Sequence, residues 1–224
     1  IGGTYFTGRV FTIIAHSRDY ELSLINRGTY SMSYLGPLRE FKCERHDTAG
    51  LKALQYGEYD AVVDFCAYQS GDCRTLLENL NAKTAQYILI STADVYDRKI
   101  KTPKDESAPL MESMPGSMAG EYMWNKRILE AEAAEVCGKL GIGLTILRPA
   151  FIYGPYNYAP RESFYVERIV KGEAIPVPAD SDSRWNFVYV TDVANAVCSC
   201  IEKQPTAFGK AYNLAAPEEV SYGS

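Results

Sequence analysis

Ile1-Gly2-Gly3-Thr4-Tyr5-Phe6-Thr7-Gly8-Arg9-Val10-Phe11-Thr12-Ile13-Ile14 opens the chain. Its glycines stand where a strand turns into a helix, so the backbone can approach a pyrophosphate and the helix N-terminus can face its charge. A second apolar strand, Leu22-Ser23-Leu24-Ile25, ends at Asn26-Arg27-Gly28. Strand, glycine turn, helix, strand is the opening unit of a dinucleotide-binding sheet. On this reading Gly2, Gly3, Thr4, Tyr5, Phe6 and Gly8 form the cofactor turn. A glycine turn also fits a pure packing role. A G-x-x-G-x-x-G spacing would need glycine at position 5, where this chain has Tyr5. Ile1 alone stands for the first strand, so a few residues are expected to precede it.

Further along, short unalternating apolar runs alternate with helical patterns. Ala61–Ala67 and Tyr87–Thr92 read as strands, with a helix near Asp72–Leu80 between them. A long helix over about Glu121–Lys139 leads into the strand Leu144–Pro149. Strands apolar on both faces and separated by helices predict an α/β fold, a doubly wound parallel sheet of Rossmann-like type. Ligands on such sheets bind outside the carboxyl ends of the strands. The glycine turn, Asn26-Arg27, Phe65-Cys66-Ala67 and Ser91-Thr92 all fall at such ends. From Phe151 the texture becomes turn-rich and aromatic, with a helix at Arg161–Val170, a strand at Asn186–Val190 and a helix capped by Thr191 or Asp192. The expected division is a dinucleotide-binding domain over 1–150 and a smaller, incomplete substrate-binding lobe over 151–224.

Tyr122-Met123-Trp124-Asn125-Lys126 places a phenol and an ammonium four residues apart, on one face of a helix. The ammonium stabilises a phenolate and lowers a pKa ordinarily near ~10. A tyrosine tuned in this way moves protons at neutral pH. A hydroxyl from Ser91 or Thr92 would complete the set. Taken alone, the spacing equally describes a surface helix pair in a tyrosine-rich chain.

With 224 residues, 46% of them hydrophobic, the chain can bury a substantial core. Its net charge of -5 argues against a general nucleic-acid or anionic-membrane surface. No run reaches the length of a membrane span. Six scattered cysteines without paired-ligand spacing read as reduced thiols of a cytoplasmic protein. With two histidines, His16 and His46, no metal site is expected.

Together these residues resemble the short-chain dehydrogenase/reductase superfamily, in its extended branch of NAD-dependent epimerases and dehydratases. The matching pieces are the glycine turn, Ser91-Thr92-Ala93-Asp94-Val95-Tyr96, Tyr122-x-x-x-Lys126, Arg148-Pro149 through Tyr153-Gly154-Pro155, and Phe187-Val188-Tyr189-Val190-Thr191-Asp192. The Gly2-Gly3-x-x-x-x-Gly8 spacing is similar to an atypical subgroup whose members have been called sugar epimerases, isoflavone reductase-like proteins or RNA-binding proteins. The resemblance implies that Tyr122 is the proton donor and acceptor, that Lys126 tunes it and bonds the nicotinamide ribose, and that Thr92 orients the substrate oxygen. It also implies cofactor contacts from Phe65, Cys66, Ala67 and Pro149, and substrate contacts from Asp94, Phe151, Tyr153 and Trp185.

An Asp at the end of the second strand would favour NAD. Asn26 stands there with Arg27 beside it, which suits a 2′-phosphate, so the cofactor is NAD(P) with NADP expected; Arg27 also fits a solvated surface residue. Nucleotide-sugar enzymes of the family usually carry an asparagine where this chain has Phe151, and an arginine where it has Trp185. Aromatics there favour a flatter or more apolar substrate, or line a differently built pocket. The expected function is epimerase/dehydratase-like oxidoreduction of a nucleotide-sugar or related hydroxy/keto compound. The alternatives are an NADPH-dependent reductase of a small carbonyl compound and a non-catalytic nucleotide-sensing or RNA-binding relative. No nucleic-acid or membrane partner is expected, and a homodimer through the helix carrying Ile128, Leu129 and Val136 is a candidate assembly.

Overall fold

In the computed structural model, residues 1–36, 38–100, 103–159, 161–177 and 184–221 are described. In chain order the elements are α1 (Phe6–Ser17), β1 (Ser23–Asn26), β2 (Arg39–Lys42), α2 (Thr48–Ala53), β3 (Gly57–Asp64), α3 (Asp72–Asn79), β4 (Ala82–Ile90) and α4 (Gly120–Leu140). Then follow β5 (Gly143–Pro149), β6 (Phe151–Tyr153), α5 (Arg161–Lys171), β7 (Trp185–Tyr189), α6 (Val190–Glu202), β8 (Lys210–Leu214) and β9 (Glu219–Val220).

All pairs of the main layer are parallel: β1 with β2, and β3, β4, β5 and β8 in that order. Ile1 joins the two groups. Its nitrogen donates to Val63 O at 2.6 Å, its carbonyl accepts from Phe65 N at 3.1 Å, and Gly2 N donates to Ile25 O at 3.1 Å. One residue thus holds a strand position between β1 and β3. Over the rest of their length these strands border a slot of about 580 Å³, walled by Leu24, Tyr59, Val62 and, from α1, Phe11.

The sheet is covered on both faces, which is why its strands lack polar alternation. Cys73, Leu76 and Leu77 of α3 and Leu129, Ala133 and Val136 of α4 pack on Val62, Tyr87 and Leu89. On the other face Val10, Phe11 and Ala15 of α1 and Val190, Ala194 and Val197 of α6 pack on Val63, Ile88, Ile90 and Leu147. The doubly wound reading is therefore correct, and Leu129 and Val136 are core residues. Ile128 instead lines a shallow outer hollow with Trp124 and Arg127.

Residues 151–153 and 185–189 form a small separate sheet, β6 parallel to β7, with β9 antiparallel on the far side of β7. The chain then returns to the main layer: α6 packs on α1 and β8 pairs with β5. The expected caps of α6 need correction. Tyr189 is its N-cap, without a side-chain bond, because β7 runs straight into the helix. Thr191 and Asp192 lie inside the first turn, where Asp192 complements the positive helix end. The polar edge strand β2 and the short α2, capped by Asp47 Oδ1 on Gly50 N at 2.9 Å, were not anticipated from apolar runs.

All six cysteines are free thiols. No described helix is long and apolar enough to cross a membrane.

Candidate active site

The glycine turn is built by close approach. Gly2 sits at φ +74°, and a Cβ there would stand 2.9 Å from Cys66 Sγ. A Cβ on Gly8 would come within 2.3 Å of Gly2 O, so α1 can start against the turn only with glycine at this position. Thr12 Oγ1 donates to Gly3 O at 2.7 Å and pins the turn to α1, while Thr4 is buried beneath it. Tyr5, standing in for the absent middle glycine, is the N-cap of α1 in extended conformation and makes no side-chain cap bond. The first-turn amides are therefore left for an anion rather than for a capping side chain. Tyr5 instead turns outward, stacking on Tyr30 at 4.9 Å and Tyr158 at 5.7 Å, with Phe6 edge-on to Tyr158. Asn26 Oδ1 accepts from Gly28 N at 2.6 Å, and Asn26 Nδ2 is buried with no hydrogen-bond partner among the described residues. Arg27 is exposed beside it. This cradle fits a dinucleotide's phosphates and adenosine ribose.

At the other end of the same edge, α4 presents Tyr122 and Lys126. Lys126 is 2% exposed, and its Nζ donates to Ala67 O at 2.7 Å and Ile90 O at 2.9 Å, just past β3 and at the end of β4. The Tyr122 ring centroid lies 5.9 Å from Nζ and the residue is 42% exposed, whereas the ammonium is locked beneath. Burial pulls the Lys126 pKa down to about 8, and the Asp64 carboxylate works in the opposite direction. Asp64 is itself buried. Burial disfavours its charge, but Arg45 reverses that with bonds of 2.9 and 3.2 Å and holds its pKa down at about 2. Tyr87 OH donates to the same carboxylate at 2.9 Å.

The two candidate hydroxyls stand in different surroundings. Ser91 Oγ donates to Glu130 Oε1 at 2.6 Å, inside a buried chain in which Arg148 grips Glu130 twice, at 2.7 and 3.0 Å, and donates to Tyr96 OH at 2.8 Å. Tyr96 OH continues to Asn213 Oδ1 at 2.7 Å. Ser91 is thus committed to structure. Thr92 Oγ1 accepts from Asp94 N at 3.2 Å, capping a single 3₁₀ turn, Ala93–Val95, and donates to Asp94 Oδ2 at a long 3.5 Å.

Among the remaining candidates, Phe65 packs on Phe11 at 5.4 Å, Cys66 N donates to Asp64 Oδ1, and Pro149 is buried at the end of β5. Asp94 is exposed on the 3₁₀ turn. Phe151 and Tyr153 of β6 and Trp185, Phe187 and Tyr189 of β7 alternate onto one face of the small sheet, with Phe151–Phe187 at 5.9 Å and Tyr153–Tyr189 at 5.2 Å. Phe151 and Trp185 therefore belong to one aromatic wall. Sequence reasoning passed over Tyr68, Arg45, Asp64 and Glu130. The signal for Asp64 was available: a carboxylate inside the apolar run Ala61–Ala67 must have a buried partner. Among the described residues no three metal-ligating side chains converge.

Residues 73–215 match the NAD dependent epimerase/dehydratase family, well over half of the chain. The chain belongs to that family. This epimerase/dehydratase-family chain is 25% identical, over 99% of its length, to chloroplast stem-loop binding protein of 41 kDa b of Arabidopsis thaliana, spanning 59% of that relative. It is 23% identical to human dTDP-D-glucose 4,6-dehydratase, over 62% of this chain and 38% of that enzyme. Its fold matches UDP-glucose 4-epimerase of Thermotoga maritima, solved with UDP-glucose, at TM-score 0.78 and 18% identity, covering 99% of this chain and 77% of that one. The Thermus thermophilus UDP-glucose 4-epimerase, solved with NAD, matches at TM-score 0.75 and 18% identity over 99% and 78%.

Proposed function

We propose that this chain is the dinucleotide-binding and catalytic part of an epimerase or dehydratase acting on a nucleotide-sugar or a related hydroxy/keto compound. The observation that carries this reading is the buried Lys126 ammonium, pinned by two strand-end carbonyls one helical turn from the half-exposed Tyr122 phenol. Tyr122 gives and takes the proton at the reacting oxygen, and Thr92 orients that oxygen. Lys126 favours the phenolate and binds the ribose hydroxyls. When bound, the nicotinamide supplies the hydride chemistry; the protein supplies position and proton control. The small sheet of β6 and β7 takes the substrate side, with the Phe151, Tyr153 and Trp185 wall selecting a flatter face than a polar sugar site would, while α6 and β8 belong with the dinucleotide-binding sheet rather than with a lobe over 151–224. Arg27 supports NADP as the finer cofactor choice, while the family's NAD dependence weighs toward NAD. The outer face of α4 around Trp124 and Ile128 suits a homodimer.

Two measurements test the reading together. Mass spectrometry of nucleotide released from the purified protein should find NAD or NADP. Tyr122→Phe should lower turnover by about 100-fold or more while the nucleotide is retained. Near-wild-type turnover in that variant would remove the acid/base assignment. Net consumption of NADPH with a small carbonyl compound would favour a reductase instead.

A second reading, RNA binding, has one observation in its favour. Tyr30, Tyr5 and Tyr158 form an exposed ladder, and the Arg9 guanidinium lies 5.3 Å from the Tyr34 ring and 4.4 Å from that of Tyr156. Stacked rings and a guanidinium suit unpaired bases, and the Arabidopsis relative is named for stem-loop binding. Tight RNA binding that falls steeply with added salt would support it over the enzymatic reading.

A further inference from the structure

Lys126 has a second aromatic neighbour, one that the Tyr-x-x-x-Lys pair does not point to. Tyr68 directly follows Ala67, whose carbonyl takes one of the lysine's protons, so the loop that pins the ammonium also carries this ring. The Tyr68 centroid lies 4.7 Å from Nζ, closer than the 5.9 Å of Tyr122. The loop backbone is firmly held. Tyr68 N and Gln69 N both donate to Asp72 Oδ2, at 2.7 and 3.0 Å, and Gly71 N and Arg74 N donate to Glu132 of α4 at 2.6 and 2.8 Å. Yet the Tyr68 side of the loop opens to solvent, with the residue 51% exposed.

This combination is unlike that of a core ring. An aromatic that serves only to cover a buried cation would itself be buried, since water on its outer face forfeits the apolar gain. Two of the three Lys126 protons go to Ala67 O and Ile90 O, which leaves one for the ligand side. The Tyr68 ring, 4.7 Å from Nζ, flanks the approach to this proton. The ring's electron-rich face stabilises the ammonium and offers the C–H face of a sugar ring an apolar surface.

We propose that Tyr68 is a cofactor-contacting residue, whose ring is the wall against which the nicotinamide-side ribose packs as its hydroxyls reach Lys126. The proposal rests on the dinucleotide-binding reading above and adds to it a residue outside the Thr92, Tyr122 and Lys126 set. The wall also keeps water off Lys126, in line with the burial that lowers this lysine's pKa.

The test is a pair of titrations on wild type, Tyr68→Phe and Tyr68→Ala: NADH by its fluorescence and ADP by calorimetry. ADP probes the adenosine half, which Tyr68 does not touch on this proposal. Tyr68→Ala should weaken NADH by about tenfold and leave ADP within about twofold, while Tyr68→Phe stays within about twofold for both. Unchanged NADH affinity in Tyr68→Ala overturns the proposal. Equal loss of NADH and ADP overturns it too, since it assigns Tyr68 to loop structure. Loss in Tyr68→Phe as large as in Tyr68→Ala would show the hydroxyl acting rather than the ring face. Wild-type protein that binds neither ligand refutes the dinucleotide reading itself, an outcome distinct from any of these.

Discussion

Lys126 concentrates the energetic tension of the site at one residue. Its ammonium is buried under α4, and the carbonyls of Ala67 and Ile90 only partly replace the water it has lost. The native pKa of about 8 lies below the ordinary lysine value of 10.5, so the unfolded chain keeps a proton between those values that the folded chain has released. Below about pH 8 both states are protonated and the whole cost of burying the charge is present. Stability therefore rises with pH through the window from about 8 to 10.5. Comparing wild type with Lys126→Met cancels the other titrating groups. The wild type should gain about 2–3 kcal/mol relative to the variant between pH 7 and 10. Urea midpoints across that range are the measurement, and two parallel pH profiles would show that Lys126 is not strained by burial.

At the scale of elements, α4 joins chemistry to stability through its four-residue repeat. Tyr122, Lys126 and Glu130 succeed one another along nearly one face. Tyr122 is exposed at the surface end, Lys126 meets the carbonyls of Ala67 and Ile90, and Glu130 the Arg148 guanidinium of β5. Glu130→Ala would leave Arg148 buried without its carboxylate and release Ser91, next to Thr92, from its acceptor. The expected loss is about 3–5 kcal/mol of unfolding free energy, read by denaturant titration. A loss below about 1 kcal/mol would mean that water or Tyr96 replaces the partner. The Tyr122 and Lys126 pair proposed as catalytic could be picked out in the sequence because it depends on local spacing alone. Glu130 was not, because its partner lies on another strand and nothing local to the helix announces it. The same contrast separates Thr92, found at a strand end, from Tyr68, one residue past the strand-end segment Phe65-Cys66-Ala67. Of the elements, those carried by apolar runs were read to within a few residues. β2, with its exposed Arg-Glu-Phe-Lys, and the six-residue α2 carry no such signal.

At the scale of the molecule, two parallel groups of strands share one sheet held between helices. β1–β2 and β3–β4–β5–β8 meet through the bonds of Ile1 and Gly2, and a slot of about 580 Å³ separates the rest of β1 from β3. Its long walls are strand edges with backbone donors and acceptors, and its faces are apolar, from Phe11 on one side to Leu54 and Leu80 on another. Cohesion across this junction comes from the helices on the two faces: Phe11 of α1 packs with Val63 and Ile88 on one, and Leu129 and Val136 of α4 pack with Tyr87 and Leu89 on the other. Phe11→Ala is therefore expected to cost about 3–5 kcal/mol of unfolding free energy, read by urea titration. A loss below about 1 kcal/mol would mean that the strand ladders hold the sheet together without α1.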